Sequence, residues 1–335
     1  MKRSMFVTLV IVLAGWAPQT PRAAQQQGAR SGGGAPQVND TRTTKEEIER
    51  WMTERSNWGR WGKNDQLGAA NTITPAKRRA AAALVKAGTT VSLAHDFLTE
   101  KAVDAPMPFV LQISTSPQLT ARDRIEVDFH GITYSHLDAL CHVSYNGVLY
   151  NGLSFKEVAK VPEGCGDLGI TSLKDGIVTR GILLDIPRLK GVPYLEPRTH
   201  VYREDIEAWE KKAGVKVSSG DVILLRTGRW ARREKAGPFN TLSGYDASFL
   251  PFLKDRDVAL IAADSASDVG TIPGFPLPIH TFVIVARGMN MFDNLDLEAL
   301  AATAAQLNRW EFMFVASPLR VHRGTGSPIN PVAVF

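Results

Sequence analysis

The spacing of apolar positions changes character along the chain. In "TKEEIERWMTE" they recur at helical intervals, with Thr44 placed to cap the first turn and carboxylates just inside it, which predicts a helix from about residue 45. "TPAKRRAAAALVKAG" predicts a second helix, with Pro in its first turn and Gly at its end. "TTVSLAHDF" reads as a strand. The second half alternates more clearly. "GILLDIPR" is an apolar strand, "YREDIEAWEKKAG" a helix, "DVILLRTGR" and "DVALIAADSAS" further strands, "NLDLEALAATAAQL" a helix, and "EFMFVASPL" and "PVAVF" the closing strands. Apolar strands interleaved with helices predict an α/β protein with a mixed sheet whose central strands are covered on both faces. No internal repeat, Gly-rich phosphate loop or linker interrupts the chain after residue 45, which predicts one domain over 45–335.

The N-terminus follows another pattern. Lys2 and Arg3 precede the apolar run "MFVTLVIVLAGWA", too short and too poorly flanked for a stable membrane span, so residues 1–24 read as a secretory signal. Residues 25–44, rich in Gly, Gln and Ser, read as a flexible leader. The expected product is an exported protein, periplasmic or secreted.

Composition adds limits. The 335 residues, 44% of them hydrophobic, can bury a substantial core. The net charge of +5 is scattered, with only short basic runs such as "RWARREK", which argues against a nucleic-acid partner. Export permits disulfides, but the only cysteines are Cys141 and Cys165. A bridge between them is one alternative; the default for Cys141 is a small buried thiol packed behind polar neighbours.

Candidate chemistry concentrates in "SHLDALCH", residues 135–142, which holds two of the seven histidines. In an extended chain His136 and Asp138 share one face. In a helical one Asp138 and His142 meet at i and i+4. Either way imidazole and carboxylate gather near one point, as ligands of a catalytic divalent metal do. The same spacing suits a hydrogen-bonded polar pair or a metal-free His–Asp catalytic pair, so spacing alone leaves three readings open. Trp58 and Trp61, in the Gly-rich loop "SNWGRWGKNDQLGAANTIT", suit either a pocket wall or surface packing. His95, His200 and His322 stand singly and read as structural or exposed. "DSASD" at 264–268 ends a buried strand, where Asp264 or Ser265 is a candidate to face a pocket, and "RGTGSP" at 323–328 reads as a tight turn.

The segment His136-x-Asp138-x-x-x-His142 resembles that of the cyclase-like metal-dependent hydrolases, which include bacterial kynurenine formamidase and isatin hydrolase. "NWGRWGKNDQLGAANTITP", "YNGVLYNG", "RGILLDIPR", "GDVILLRTG", "PIH", "DNLDLEAL" and "GTGSPINPVAV" follow in the order of that family's longer branch, over roughly residues 55–335. The resemblance implies a central mixed β-barrel of the swivelling β/β/α type, and a homo-oligomer. It implies a divalent metal, zinc or manganese, held by His136 and Asp138, with His142 as acid/base. It also places His280 and Asp293 where some relatives hold a second metal with His and Glu.

One departure stands out: relatives usually carry a histidine four residues before His136, and this chain has Ile132 there. His130 is the nearest substitute, but along a straight strand it would lie about 20 Å from His136, so a bulge or turn would be needed to bring it in; otherwise it is a polar residue at a strand end. The implied activity is hydrolysis of an amide, formamide or lactone, arylformamidase-like and of the kind used in tryptophan catabolism, on a small aromatic substrate for which Trp58 and Trp61 would form a wall. A lactone or dienelactone hydrolase of the same fold, and an exported binding protein without turnover, are the alternatives.

Overall fold

The computed structural model describes residues 41–335; the expected signal at 1–24 and most of the expected leader at 25–44 lie outside the described residues. Nine strands form the main sheet: β1 (Thr90–Ser92), β2 (His136–Asp138), β3 (Ile177–Asp185), β4 (Val222–Arg226), β5 (Leu260–Ala263), β6 (Met291–Asp293), β7 (Glu311–Ala316), β8 (Gly326–Pro328) and β9 (Val332–Val334). Their order is β1-β9-β7-β3-β4-β5-β6-β2-β8. Strands β3 to β6 run parallel in sequence order, and antiparallel pairs flank them on both sides. The sheet curls into a half-barrel, so the expected α/β domain around a mixed sheet is present with its barrel open.

Burial follows the apolar pattern. "VILLR" in β4 and "LIAA" in β5 are buried at every position, as central parallel strands covered on both faces must be. In β7 burial alternates strictly, the signature of a strand with one covered face.

The first helix, α1 (Lys45–Glu54), begins where its cap predicts: Thr44 Oγ1 accepts the Glu47 amide at 3.2 Å, and the Glu47 carboxylate accepts the Thr44 amide at 2.9 Å. The second, α2 (Pro75–Ala82), stops short of the expected end at Gly88. The Phe335 carbonyl takes the amides of Ala87 and Gly88 at 3.1 and 2.8 Å, so those donors serve the chain terminus instead of another helical turn.

Two features depart from the sequence reading. A separate hairpin pairs Val110–Thr115 with Ala121–Glu126, and every residue of its two strands is exposed. Cys141 is not a free thiol: it is disulfide-bonded to Cys165, which ties the turn after β2 to the small hairpin Ala159–Lys160/Gly164–Cys165. No helix among the described residues is long and apolar enough to cross a membrane.

Candidate metal centre

Strand β2 places His136 and Asp138 on one face, and the chain turns immediately after it, with the His142 amide donating to Ala139 at 3.0 Å. The extended reading of 136–138 is therefore the one observed; after it the chain makes a turn and not a helix, and that turn still returns His142 toward Asp138. Sheet register adds the third element, because Asp293 on β6 stands directly opposite His136. His280 arrives from the short helix Pro278–His280.

These groups surround Asp138. His130 Nδ1 lies 3.1 Å and His136 Nε2 3.5 Å from Asp138 Oδ1, with His142 Nε2 at 3.9 Å. His280 Nε2 is 3.6 Å from Asp138 Oδ2 and 3.2 Å from Asp293 Oδ2. Two overlapping triads, His130/Asp138/His142 and His136/Asp138/Asp293, each bring their ligand atoms within 4.8 Å of one another. Asp138 belongs to both.

His130 reaches the cluster by the turn that its position demands. Residues 127–135 leave the hairpin in bends, Gly131 adopts φ 121°, and Asn294 Nδ2 donates to the Gly131 carbonyl at 2.6 Å. The His130 ring then stacks on His142, centroids 3.9 Å apart and planes 3° from parallel, while its Nε2 meets Thr325 Oγ1 at 3.0 Å. His136 is oriented by its Nδ1, which donates to the Tyr134 carbonyl at 2.8 Å and leaves Nε2 toward Asp138.

The donor set fits a divalent cation. Asp138 is fully buried, yet neither of its carboxylate oxygens has a hydrogen-bond partner. His130 Nδ1 approaches without hydrogen-bond alignment and is likewise unpartnered. A buried carboxylate without a donor is costly, and nitrogen and oxygen atoms converging on it are the ligands that hard and borderline divalent metals take.

Electrostatics agree. Burial alone would raise the Asp138 carboxyl, but the imidazoles of His136, His130, His142 and His280 outweigh it and hold it below the usual carboxylate range. Burial also pushes His142 down to about 4, against the pull of Asp138, so its imidazole is neutral near pH 7. For His280 burial is outweighed in the other direction: Asp293 and Asp268 draw its pKa well above the ordinary value, marking a place where positive charge is favoured.

The cluster opens onto a cavity of about 390 Å³ whose lining includes Ile132, His142, Arg198, Leu242, Asp268 and His280. Trp58 and Trp61 do not line it. Trp58 donates its indole N–H to the Val285 carbonyl at 2.7 Å and borders a different groove with Glu49, Met52 and Tyr145, while Trp61 lies beside the Arg60 guanidinium.

From "DSASD", Asp264 turns inward and accepts the amides of Thr227 and Gly228, bracing β4 against β5. Ser265 is buried and also absent from the cavity lining. The residues of that stretch that reach the site are Ser267 and Asp268: Ser267 Oγ donates to Asp293 Oδ1 at 2.7 Å, and Asp268 pairs with His280 Nδ1. Thr325 in "RGTGSP" supports His130. Of the isolated histidines, His200 pairs with Asp246 at 2.7 Å, His95 stacks on Trp230 at 4.1 Å, and His322 is exposed.

The Cyclase family, described as "Putative cyclase", matches residues 90–268. The crystal structure of a novel cyclase is 31% identical, covering 84% of this chain and 97% of its own, with a TM-score of 0.76. The chain belongs to the cyclase family. An isatin hydrolase bound to the product analogue thioisatinate shares the fold at 15% identity and a TM-score of 0.52, covering 76% of this chain and 94% of its own. Among curated proteins none matches the chain.

Proposed function

We propose that the protein is a metal-dependent hydrolase of a small amide, formamide or lactone, with arylformamidase-like cleavage of an aromatic formamide as the leading case. The observation that carries this is Asp138: a fully buried, unpartnered carboxylate ringed by imidazole nitrogens beside a substrate-sized cavity. Membership of the cyclase family supports it.

His136, Asp138 and Asp293 would hold a divalent cation, zinc or manganese, with His130 and His280 as the further nitrogen donors around Asp138. Such a cation supplies Lewis acidity, polarising a carbonyl and making water a stronger nucleophile near neutral pH. His142 performs the proton transfer. Neutral and on the cavity wall, its Nε2 accepts a proton as water adds to the carbonyl carbon, then returns that proton to the departing nitrogen or oxygen as the carbon–heteroatom bond breaks. The stacked His130 ring fixes the plane in which His142 can do so. Leu242, Leu277, Val269 and Ile132 give the cavity apolar walls suited to a compact ring system.

Export forms part of the proposal: the N-terminal pattern is supported by the Cys141–Cys165 bridge, which an oxidising compartment would preserve. Elemental analysis of the purified protein beside a His136→Ala/Asp138→Ala variant tests the centre, and N-formylkynurenine, isatin and simple lactones test the reaction. About one or two zinc or manganese ions per chain, absent from the variant, with turnover of one of these compounds, is the expected result. Affinity without product at every metal supplement would favour a binding protein.

A further inference from the structure

The turn after β5 carries contacts that the proposed chemistry has not used. Ser267 is buried in the left-handed region, at φ 58°, which a residue with a side chain seldom adopts. Its carbonyl accepts the Tyr245 amide at 2.9 Å, and a Cβ on Gly244 would stand 2.3 Å from that oxygen, so this approach requires glycine at 244. A backbone held in such a conformation by its surroundings marks a place where side-chain direction matters. Both side chains of this turn point at the downstream half of the site.

Ser267 Oγ donates to Asp293 Oδ1 at 2.7 Å, while the other oxygen of Asp293 faces His280 Nε2 at 3.2 Å. Asp268 accepts the Ile279 amide at 2.7 Å and the His280 amide at 3.3 Å, and its carboxylate also pairs with His280 Nδ1. His280 is therefore gripped at the ring nitrogen opposite the one that faces Asp138, and Asp293 at the oxygen opposite the one that faces His280.

We propose that Ser267 and Asp268 are positioning residues for a cation at His280 and Asp293: Asp268 engages Nδ1 and reserves Nε2 for the cation, and Ser267 engages one carboxylate oxygen and leaves the other free. A carboxylate behind a ligating histidine fixes the ring's orientation and strengthens it as a donor. The proposal rests on the metal-binding reading above. A structural role alone would make Asp268 a cap on the amides of Ile279 and His280 and nothing more.

The test is cation affinity, measured by competitive titration with zinc and manganese and by the visible spectrum of the cobalt-loaded protein, in D268A, D268N, S267A, H280A and D268A/H280A. D268N keeps an acceptor for the Ile279 amide but loses the charge and the second oxygen behind the ring. It should bind the weaker-held cation roughly ten- to a hundred-fold less tightly, with a changed cobalt spectrum, under conditions where its thermal unfolding shows it folded. D268A should weaken binding to a similar degree, S267A less, and D268A should add nothing in the H280A background, because it acts through His280. Wild-type affinity and spectrum in both Asp268 variants, or losses that multiply in the double variant, would overturn the proposal and leave the metal centre standing. A wild-type protein that takes up no cation would instead remove the metal reading, and this inference with it.

Discussion

His130 Nδ1 stands 3.1 Å from Asp138 Oδ1, although a straight strand would carry the two residues far apart. Three features make the approach possible. Gly131 turns the chain, Asn294 holds the Gly131 carbonyl at 2.6 Å, and Gly326, opposite Asp138 in the sheet, leaves room. A Cβ at 326 would lie 2.7 Å from the Leu137 carbonyl oxygen and 3.0 Å from His130 Cε1. His130→Ala should therefore weaken cation binding markedly, and Gly326→Ala should do so by displacing the same ring. Equilibrium dialysis with elemental analysis reads both. Undiminished metal content in His130→Ala would remove His130 from the ligand set.

The half of the site that lies on β2 is legible in the sequence because a strand's period of two puts His136 and Asp138 on one face. His280 and Asp293 are visible only through the family pattern, since nothing in local spacing says that β6 will pair with β2 and set Asp293 against His136. His130 is a candidate in the sequence only through the missing histidine at Ile132, and spacing cannot decide it because its approach depends on backbone turns and on Gly326, far along the chain. Asp268 is missed for a subtler reason. "DSASD" offers several polar side chains, and the left-handed turn at Ser267 decides which of them face the site. The main strands and helices follow the hydrophobic pattern, whereas the exposed hairpin at 110–126 has no burial to announce it. Two cysteines 24 positions apart carry no spacing rule that would pair them.

His142 and His136 should separate by function. His142 Nε2 is the more distant from Asp138 Oδ1, at 3.9 Å against 3.5 Å, and burial keeps its ring neutral near pH 7. On whichever amide or lactone the wild type hydrolyses, His142→Ala should lower kcat by about 10²- to 10⁴-fold while retaining at least one bound cation. His136→Ala should lose cation and activity together. Full activity in His142→Ala would exclude its role in proton transfer.

The Cys141–Cys165 bridge closes a loop across 24 positions and anchors the residue next to His142. By the loop-entropy relation such a cross-link is worth about 3 kcal/mol. Cys165→Ser should lower the urea midpoint accordingly in oxidising buffer, and a reductant should bring the wild type to the same value. A midpoint that does not move in either case would show that the bridge adds nothing to stability.

Asp257 gives a pH dependence that is independent of the metal centre. Arg60 Nη2 donates to its Oδ2 at 2.9 Å, Ser219 Oγ donates to the same oxygen at 2.8 Å, and Arg287 Nη2 lies 3.9 Å from Oδ1. Burial alone would raise this carboxyl, but the Arg60 and Ser219 hydrogen bonds and the two guanidinium charges outweigh it and lower its pKa in the folded protein. Because the folded value lies below the unfolded one, about 3.9, the carboxylate's contribution to stability is present above that pH. It is lost as the pH falls through the folded value. Asp257→Asn should thus be less stable than the wild type at pH 7, and the gap should close as both are acidified through the folded value. Urea midpoints for the two proteins across this range measure it directly. A gap that stays constant from neutral to acid would mean that the charge on Asp257 contributes nothing and that only the shape of its hydrogen bonds matters.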